Sequence, residues 1–191
     1  MNKEYLNKII RERRAIFPSQ YNDKPVSKEF IKILLENANW APSHRLTEPW
    51  RFKVVQGTAK DRLGDFLSDT YTDITSNESF SPFKHKKIKN KCKSASAIIV
   101  ICMQRDIKER VPEWEEIAAT SMAVQNMWLT CAANEVGCYW SSPALINYMS
   151  DFFEFEEGER CLGFLYIGNY DKEEDVTSKR KPIEEKIEWH D

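Results

Sequence analysis

Between Ile117 and Asn134 the chain carries no charged side chain. As a helix, a run of that length spans about 27 Å, close to the lower limit for crossing a membrane. Ser121, Gln125, Asn126 and Asn134 are out of place in lipid, and Glu115, Glu116 and Glu135 close both ends. The run is therefore read as a helix buried on nearly all sides within protein. In a chain of 191 residues, about one domain's worth, that is more apolar surface than one core needs. A subunit interface is the economical explanation, and a central core helix is the alternative.

The rest of the chain alternates unevenly between helix and strand signals. Tyr5, Leu6, Ile9 and Ile10 share one side of a helix over residues 3–15. Ser27 is suited to cap a helix in which Phe30, Ile31, Leu34, Leu35 and Ala38 recur at helical spacing as far as Trp40. Trp50 to Val55 alternates large apolar with charged residues, as a half-buried strand does. A helix is expected from Thr58 to about Thr70, a mobile polar loop over 72–82, and a lysine-rich helix from Pro82 to about Lys93. Ile98 to Cys102 is a continuous apolar run, typical of a strand covered on both faces. The long helix fills about 113–135, with Gly137 placed to end it. Cys138 to Trp140 and Leu162 to Ile167 read as strands, and 171–181 as a charged loop. The tail from Pro182 to Trp189 carries Ile183, Ile187 and Trp189, so it is expected to dock on something. This order predicts an α+β layer fold rather than a regular doubly wound sheet. No repeat or linker divides it, so residues 1–191 read as one domain.

Composition narrows the function classes. A formal net charge of -2 gives no global pull toward nucleic acid or acidic membranes. The five cysteines are odd in number and widely spaced, no Cys-x-x-Cys occurs, and the three histidines are scattered. A zinc site or disulfide framework is not expected, and a reducing cytoplasm fits best. The charged N-terminus shows no apolar signal-peptide core. Dinucleotide, P-loop, zinc-protease and nucleophile-elbow motifs are missing. Six glycines leave no glycine-rich phosphate cradle, so a bound phosphate has to be met by arginine and lysine side chains.

The segment most able to grip a ligand is Ala41-Pro42-Ser43-His44-Arg45-Leu46-Thr47-Glu48-Pro49-Trp50-Arg51-Phe52. It lies between a helix that Pro42 cannot continue and the first strand, and its prolines restrict the backbone that presents the polar side chains. This segment resembles the APS-x-x-x-x-x-PW-x-F stretch of the FMN-dependent nitroreductase family. Three further segments resemble the same family in the same order. Arg13-Arg14-Ala15 resembles its Arg-Arg-Ser element, with alanine in place of serine. Gly137-Cys138-Tyr139-Trp140-Ser141-Ser142-Pro143 resembles its G-x-x-W-x-S-G stretch, with Pro143 in place of glycine and one amide donor fewer. Lys179-Arg180-Lys181-Pro182 resembles its basic R-x-P element. Val111 to Glu115 and Gly163 to Gly168 also resemble a small single-domain subgroup.

Without the resemblance, Arg13 and Arg14 are basic residues complementing a helix C-terminus, and His44 is a loop histidine. The 137–143 segment is an edge strand with a Ser-Pro turn. With it, Arg13, Arg14, Ala15 and Arg180 are implied contacts of an FMN phosphate and ring edge. Trp40, Ser43 and His44 lie at the cofactor, and Trp140, Ser141 and Ser142 run along the flavin ring. Phe17 stands where the family often has a basic residue, and Glu48 where it has glutamine. The lysines at 84, 86, 87, 89, 91 and 93 invite a nucleic-acid reading. Ile88 and Cys92 share a face, however, so the lysines form the solvated side, and no aromatic interleaving suits single-strand binding. One of them could face the flavin or the NAD(P)H phosphate.

The resemblance implies a three-layer fold, mainly antiparallel sheet flanked by helices, in an intertwined homodimer. It implies an FMN-dependent oxidoreductase that takes hydride from NADH or NADPH at flavin N5 and passes it, ping-pong, to a nitroaromatic or quinone. No protein nucleophile or metal is called for. The expected partners are a small-molecule substrate and a second copy, with no nucleic acid and no membrane. The alternatives are a flavin carrier with the same fold and little reductase activity, and a non-flavin interaction module.

Overall fold

The computed structural model describes residues 3–172 and 180–190. Helix α1 spans Lys3–Glu12, three residues short of its expected end, and Arg13 to Phe17 leave it as an extended strap. Helix α2, Lys28–Asn39, starts at Ser27, whose hydroxyl accepts from the Phe30 amide at 3.1 Å. Its Ile31, Leu34 and Ala38 are buried as the spacing predicts. Strand β1 is Trp50–Val55. Helix α3, Thr58–Ile74, runs past Thr70 into the expected loop. Tyr71 anchors the segment between α3 and the next helix: its ring lies 5.6 Å from Phe80 and its hydroxyl accepts from the Ser81 amide at 3.0 Å. Ser81 caps α4, Pro82–Ser94, with proline in the first turn, where no amide is needed. Strand β2 is Ala97–Gln104, helix α5 Glu113–Ala133, strand β3 Gly137–Ser141 and strand β4 Glu159–Gly168. A 3₁₀ segment, Ala144–Asp151, fills the stretch between β3 and β4.

The four strands form one antiparallel sheet in the order β1-β2-β4-β3. One face carries Ile99, Ile101, Leu165 and Ile167 and packs on Leu34 and Ala38 of α2 and on Ala123 and Met127 of α5. The other face carries Ile98, Val100, Phe164 and Tyr166 and packs on Leu63 and Leu67 of α3, Cys92 of α4 and Met149. Central β2 is covered on both sides, which explains its unbroken apolar run. The result is the expected α+β arrangement of three layers.

Several expectations need correction. Gly137 does not end α5. The helix stops at Asn134, Glu135 takes the left-handed turn (φ 54°), and the Val136 amide bonds back to the Cys131 carbonyl at 2.9 Å. Nor is α5 buried all round in one protomer. Ala119, Ala123, Val124, Met127 and Cys131 are buried, but Met122 is 40% exposed, and Ile117, Gln125, Trp128 and Leu129 are half-buried or exposed. The tail does not dock on its own chain: Ile183, Ile187 and Trp189 are all exposed. Among the described residues no helix is long and apolar enough to cross a membrane.

Burial also sets a pH dependence. Cys92 is fully buried at the α3–α4 contact, and desolvation raises its thiol pKa from 9.0 to about 11. Folding then favours the neutral thiol. Its contribution is fully present below pH 9 and is lost as pH rises toward 11. The urea midpoint is expected to fall across that window, and to fall less in Cys92→Ala. Equal falls in the two proteins would show that Cys92 does not titrate as its burial requires.

Candidate functional site

The strap after α1 is held by α5 and β3. The Arg13 guanidinium lies 4.7 Å from the centre of the Trp128 ring, and the Trp128 indole donates to the Arg14 carbonyl at 3.2 Å. The Ile16 amide donates to the Cys138 carbonyl at 3.1 Å, which runs the strap alongside β3. Phe17 then sets its ring 4.7 Å from that of Tyr139. Arg13, Arg14 and Ala15 are all half-buried. A 3₁₀ turn, Pro18–Gln20, carries the strap on to Tyr21, whose hydroxyl donates to the Tyr166 carbonyl at 2.9 Å.

Beyond Phe17 and Tyr139 a groove opens between α4 and β3, in two adjoining compartments of about 790 and 570 Å³. The first is lined by Phe17, Pro18 and Tyr139, the second by Tyr71, Ser141, Pro143 and Leu145. Phe83, Lys87 and Lys91 line both. Among the described residues, no aspartate or glutamate lines either compartment. Volumes of this order suit a cofactor-sized ligand, and the wall is cationic and aromatic.

Alternation along β3 decides what faces this groove. Tyr139 and Ser141 point into it. Trp140 packs with the α2–α5 face, its indole over the backbone of Gly163, with its Nε1 buried and without an acceptor among the described residues. Trp140 can therefore meet a groove ligand through its backbone only. Ser142 is exposed at the groove end of β3. Gly163 leaves room for the indole: a Cβ there would meet the Ser141 carbonyl at 2.8 Å. Next to it in β4, Leu162 bulges out of the β2–β4 register, between the pairs Ile101–Gly163 and Cys102–Cys161.

Trp40, Ser43 and His44 lie elsewhere. Trp40 caps α2 and is 78% exposed, its indole donating to Glu36 at 3.2 Å. The Ser43 hydroxyl accepts from the Glu48 amide at 2.9 Å and contacts the Thr47 hydroxyl at 3.2 Å. This bonding holds a loop in which Arg45, Leu46 and Glu48 all take positive φ, a strained shape for non-glycine residues. His44 Nδ1 lies 2.6 Å from Glu115 Oε2 in the first turn of α5. The neighbouring Glu116 is buried and binds the Arg105 guanidinium and the Asp106 amide. From residue 115 to residue 128 is about 20 Å along the helix, so one protomer keeps His44 far from the strap. Arg180 is exposed at the start of the described tail, and Lys179 lies outside the described residues.

Among the α4 lysines, the sequence leaves open which one faces the cofactor, and it does not single out the Tyr139 side chain; the groove is lined by Lys84, Lys86, Lys87, Lys91 and Tyr139. The signal for the lysines is the spacing of Lys84, Lys87 and Lys91, a stripe flanking the inward face of Ile88 and Cys92.

The sequence model of the nitroreductase family matches residues 10–169. The chain belongs to the nitroreductase family. It is 30% identical over 189 residues to YfhC of Bacillus subtilis strain 168, which is named for NAD(P)H nitroreductase activity, over 95% of this chain and 92% of that one. A nitroreductase-like protein from Bacillus cereus has the same fold at a TM-score of 0.82 and 31% identity, over 97% of this chain and 95% of that one. A nitroreductase-type structure from Desulfovibrio desulfuricans, solved in complex with FMN, gives 0.75 at 25% identity, over 100% of this chain and 98% of that one. Membership makes the protein an oxidoreductase of the nitroreductase type with the nitroreductase-like α+β fold.

Proposed function

We propose that this nitroreductase is an FMN-dependent NAD(P)H oxidoreductase, one domain over residues 1–191, that works as a cytoplasmic homodimer. The observation that carries the reading is the strap from Arg13 to Phe17 lying along β3, at the edge of a groove whose described lining has lysines and no carboxylate. That lining fits an anionic, aromatic cofactor: ammonium groups for negative charge and ring faces for a flavin. When bound, FMN supplies hydride acceptance from NADH or NADPH and its onward transfer to an electron-poor nitroaromatic or quinone.

In this reading Arg13, Arg14 and Arg180 hold the phosphate, and Ala15 lies against the ring edge. The backbone of Trp140, Ser141 and Ser142 meets the ring through amide donors, which Pro143 cannot extend. Lys86 and Lys91, at the compartment lined by Phe17 and Tyr139, balance negative charge. Trp40, Ser43 and His44 reach the site of a second copy rather than their own, His44 being about 20 Å from the strap along α5. The outward residues of α5 and the exposed Leu6, Ile10, Ile183 and Trp189 support such a dimer, since a second copy would cover them. The five thiols are all free and buried, which suits a reducing compartment.

The test is a visible spectrum of the protein loaded with FMN, followed by anaerobic NADPH, with sedimentation equilibrium alongside. Flavin bands that bleach, on a dimer, are the expected result. Bands that persist under both NADPH and NADH would turn the reading to a flavin carrier. A protein that takes up no FMN would end it.

A further inference from the structure

Helix α4 presents three lysines on one stripe, and each stands over an aromatic ring. Lys84 Nζ lies 4.7 Å from the centre of the Tyr71 ring, Lys87 Nζ 5.9 Å from Phe83, and Lys91 Nζ 5.4 Å from Tyr139. All three line the compartment of about 570 Å³ that also contains Ser141 and Pro143. Of the other lysines of the helix, Lys86 lines only the adjoining compartment of about 790 Å³, Lys89 pairs with Asp65, and Lys93 is exposed outside the groove. Phe83 is 76% exposed although it belongs to the wall, so an aromatic face is open to a ligand. A neutral aromatic substrate needs the rings but not the ammonium groups. Three cations in a compartment with no carboxylate among its described lining leave a positive potential that only an anion offsets.

We propose that the compartment beneath Lys84 and Lys87 selects acidic aromatic acceptors, nitroaromatics or quinones bearing a carboxylate or sulfonate, over their neutral counterparts. The inference rests on the FMN-dependent reading above and adds the substrate class to it. The ring of the acceptor lies against Phe83 and Tyr71, and its acid group meets the ammonium groups. The same feature serves the reductant, whose pyrophosphate is also anionic, so one groove can take both reactants in turn. The electron balance is ordinary. NADPH gives a hydride, two electrons with one proton, and a second proton comes from solvent. A quinone sulfonate becomes the hydroquinone, and a nitrobenzoate becomes the nitroso compound with release of water.

The experiment uses the FMN-loaded protein. KM is measured for 4-nitrobenzoate against 4-nitrobenzamide, and 2-naphthalenesulfonate, which cannot be reduced, is titrated against 2-naphthalenemethanol. The acid member of each pair is expected to bind about tenfold more tightly at low salt, with the preference shrinking as ionic strength rises. The Lys84→Gln/Lys87→Gln variant, altered only at exposed positions, should lose the preference, while Lys93→Gln keeps it. Equal affinities for acid and neutral ligands in FMN-loaded protein would overturn the proposal and leave the flavin reading standing. So would a preference unchanged in the double variant. A protein that takes up no FMN would remove both together.

Discussion

Valine at position 168 is expected to lower the free energy of unfolding by about 3 kcal/mol, the upper range for forcing extra atoms into a packed site. Gly137 and Gly168 face each other across the β3–β4 ladder, and the Tyr21 ring lies over both. A Cβ on Gly137 would meet Tyr21 Cε1 at 2.7 Å, and one on Gly168 would meet Tyr21 Cβ at 3.0 Å and overlap the ring. Tyr21 has nowhere to go. Its hydroxyl is bonded to the Tyr166 carbonyl, it bridges to Tyr170, and the next residue's amide bonds to the Asn169 carbonyl at 2.8 Å. The strap that carries Arg13 and Arg14 is thus pinned to the sheet at its far end by an aromatic ring seated on two glycines. Gly168→Val should therefore weaken FMN binding as well as stability. In the double variant with Tyr21→Ala, part of both losses should return, a coupling that a double-mutant cycle reads directly. An unfolding free energy within about 0.5 kcal/mol of the parent would show that the strap does not depend on this seat.

That seat marks where sequence reasoning stops. Helix α2, its Ser27 cap and strands β1 and β2 were legible because each is encoded locally, by period, cap and apolar run. Gly137 was misread as a helix stop because its requirement comes from Tyr21, which is distant in sequence, and Glu135 takes the left-handed turn instead. The segment Ala144–Asp151 is too short for periodicity, although it buries Leu145 and Met149. The site was legible as a set of segments but not as a geometry. No local pattern separates the His44 loop from the Arg13 strap by most of α5. Nor does any turn the Trp140 side chain to the α2–α5 face while Tyr139 lines the groove. The α4 lysines read as a solvated face with one member at the cofactor, and which member is not legible because their aromatic partners, Tyr71 and Tyr139, come from other elements.

The arginines of the strap are where the cofactor reading is most exposed to test. Arg14→Ala is expected to raise the Kd for FMN about 10- to 100-fold, the worth of one charge-assisted contact to a phosphate. The Arg14 carbonyl, which accepts from Trp128, survives the substitution, so the strap keeps that bond to α5. Arg13→Ala is the useful contrast. Its guanidinium already lies over the Trp128 ring, so its loss removes a cation–π contact, about 0.5–1 kcal/mol at a partly exposed position, along with any contribution to binding. Riboflavin separates phosphate recognition from ring recognition. If Arg14 holds the phosphate, the variant loses affinity for FMN but not for riboflavin, and the ratio of the two dissociation constants collapses. Equal weakening of both ligands would mean that Arg14 acts on the strap's shape, which returns the phosphate to Arg13, Arg180 and the lysines of α4. An FMN affinity within about twofold of the parent, far below the contribution of a charged contact, would take Arg14 out of the site.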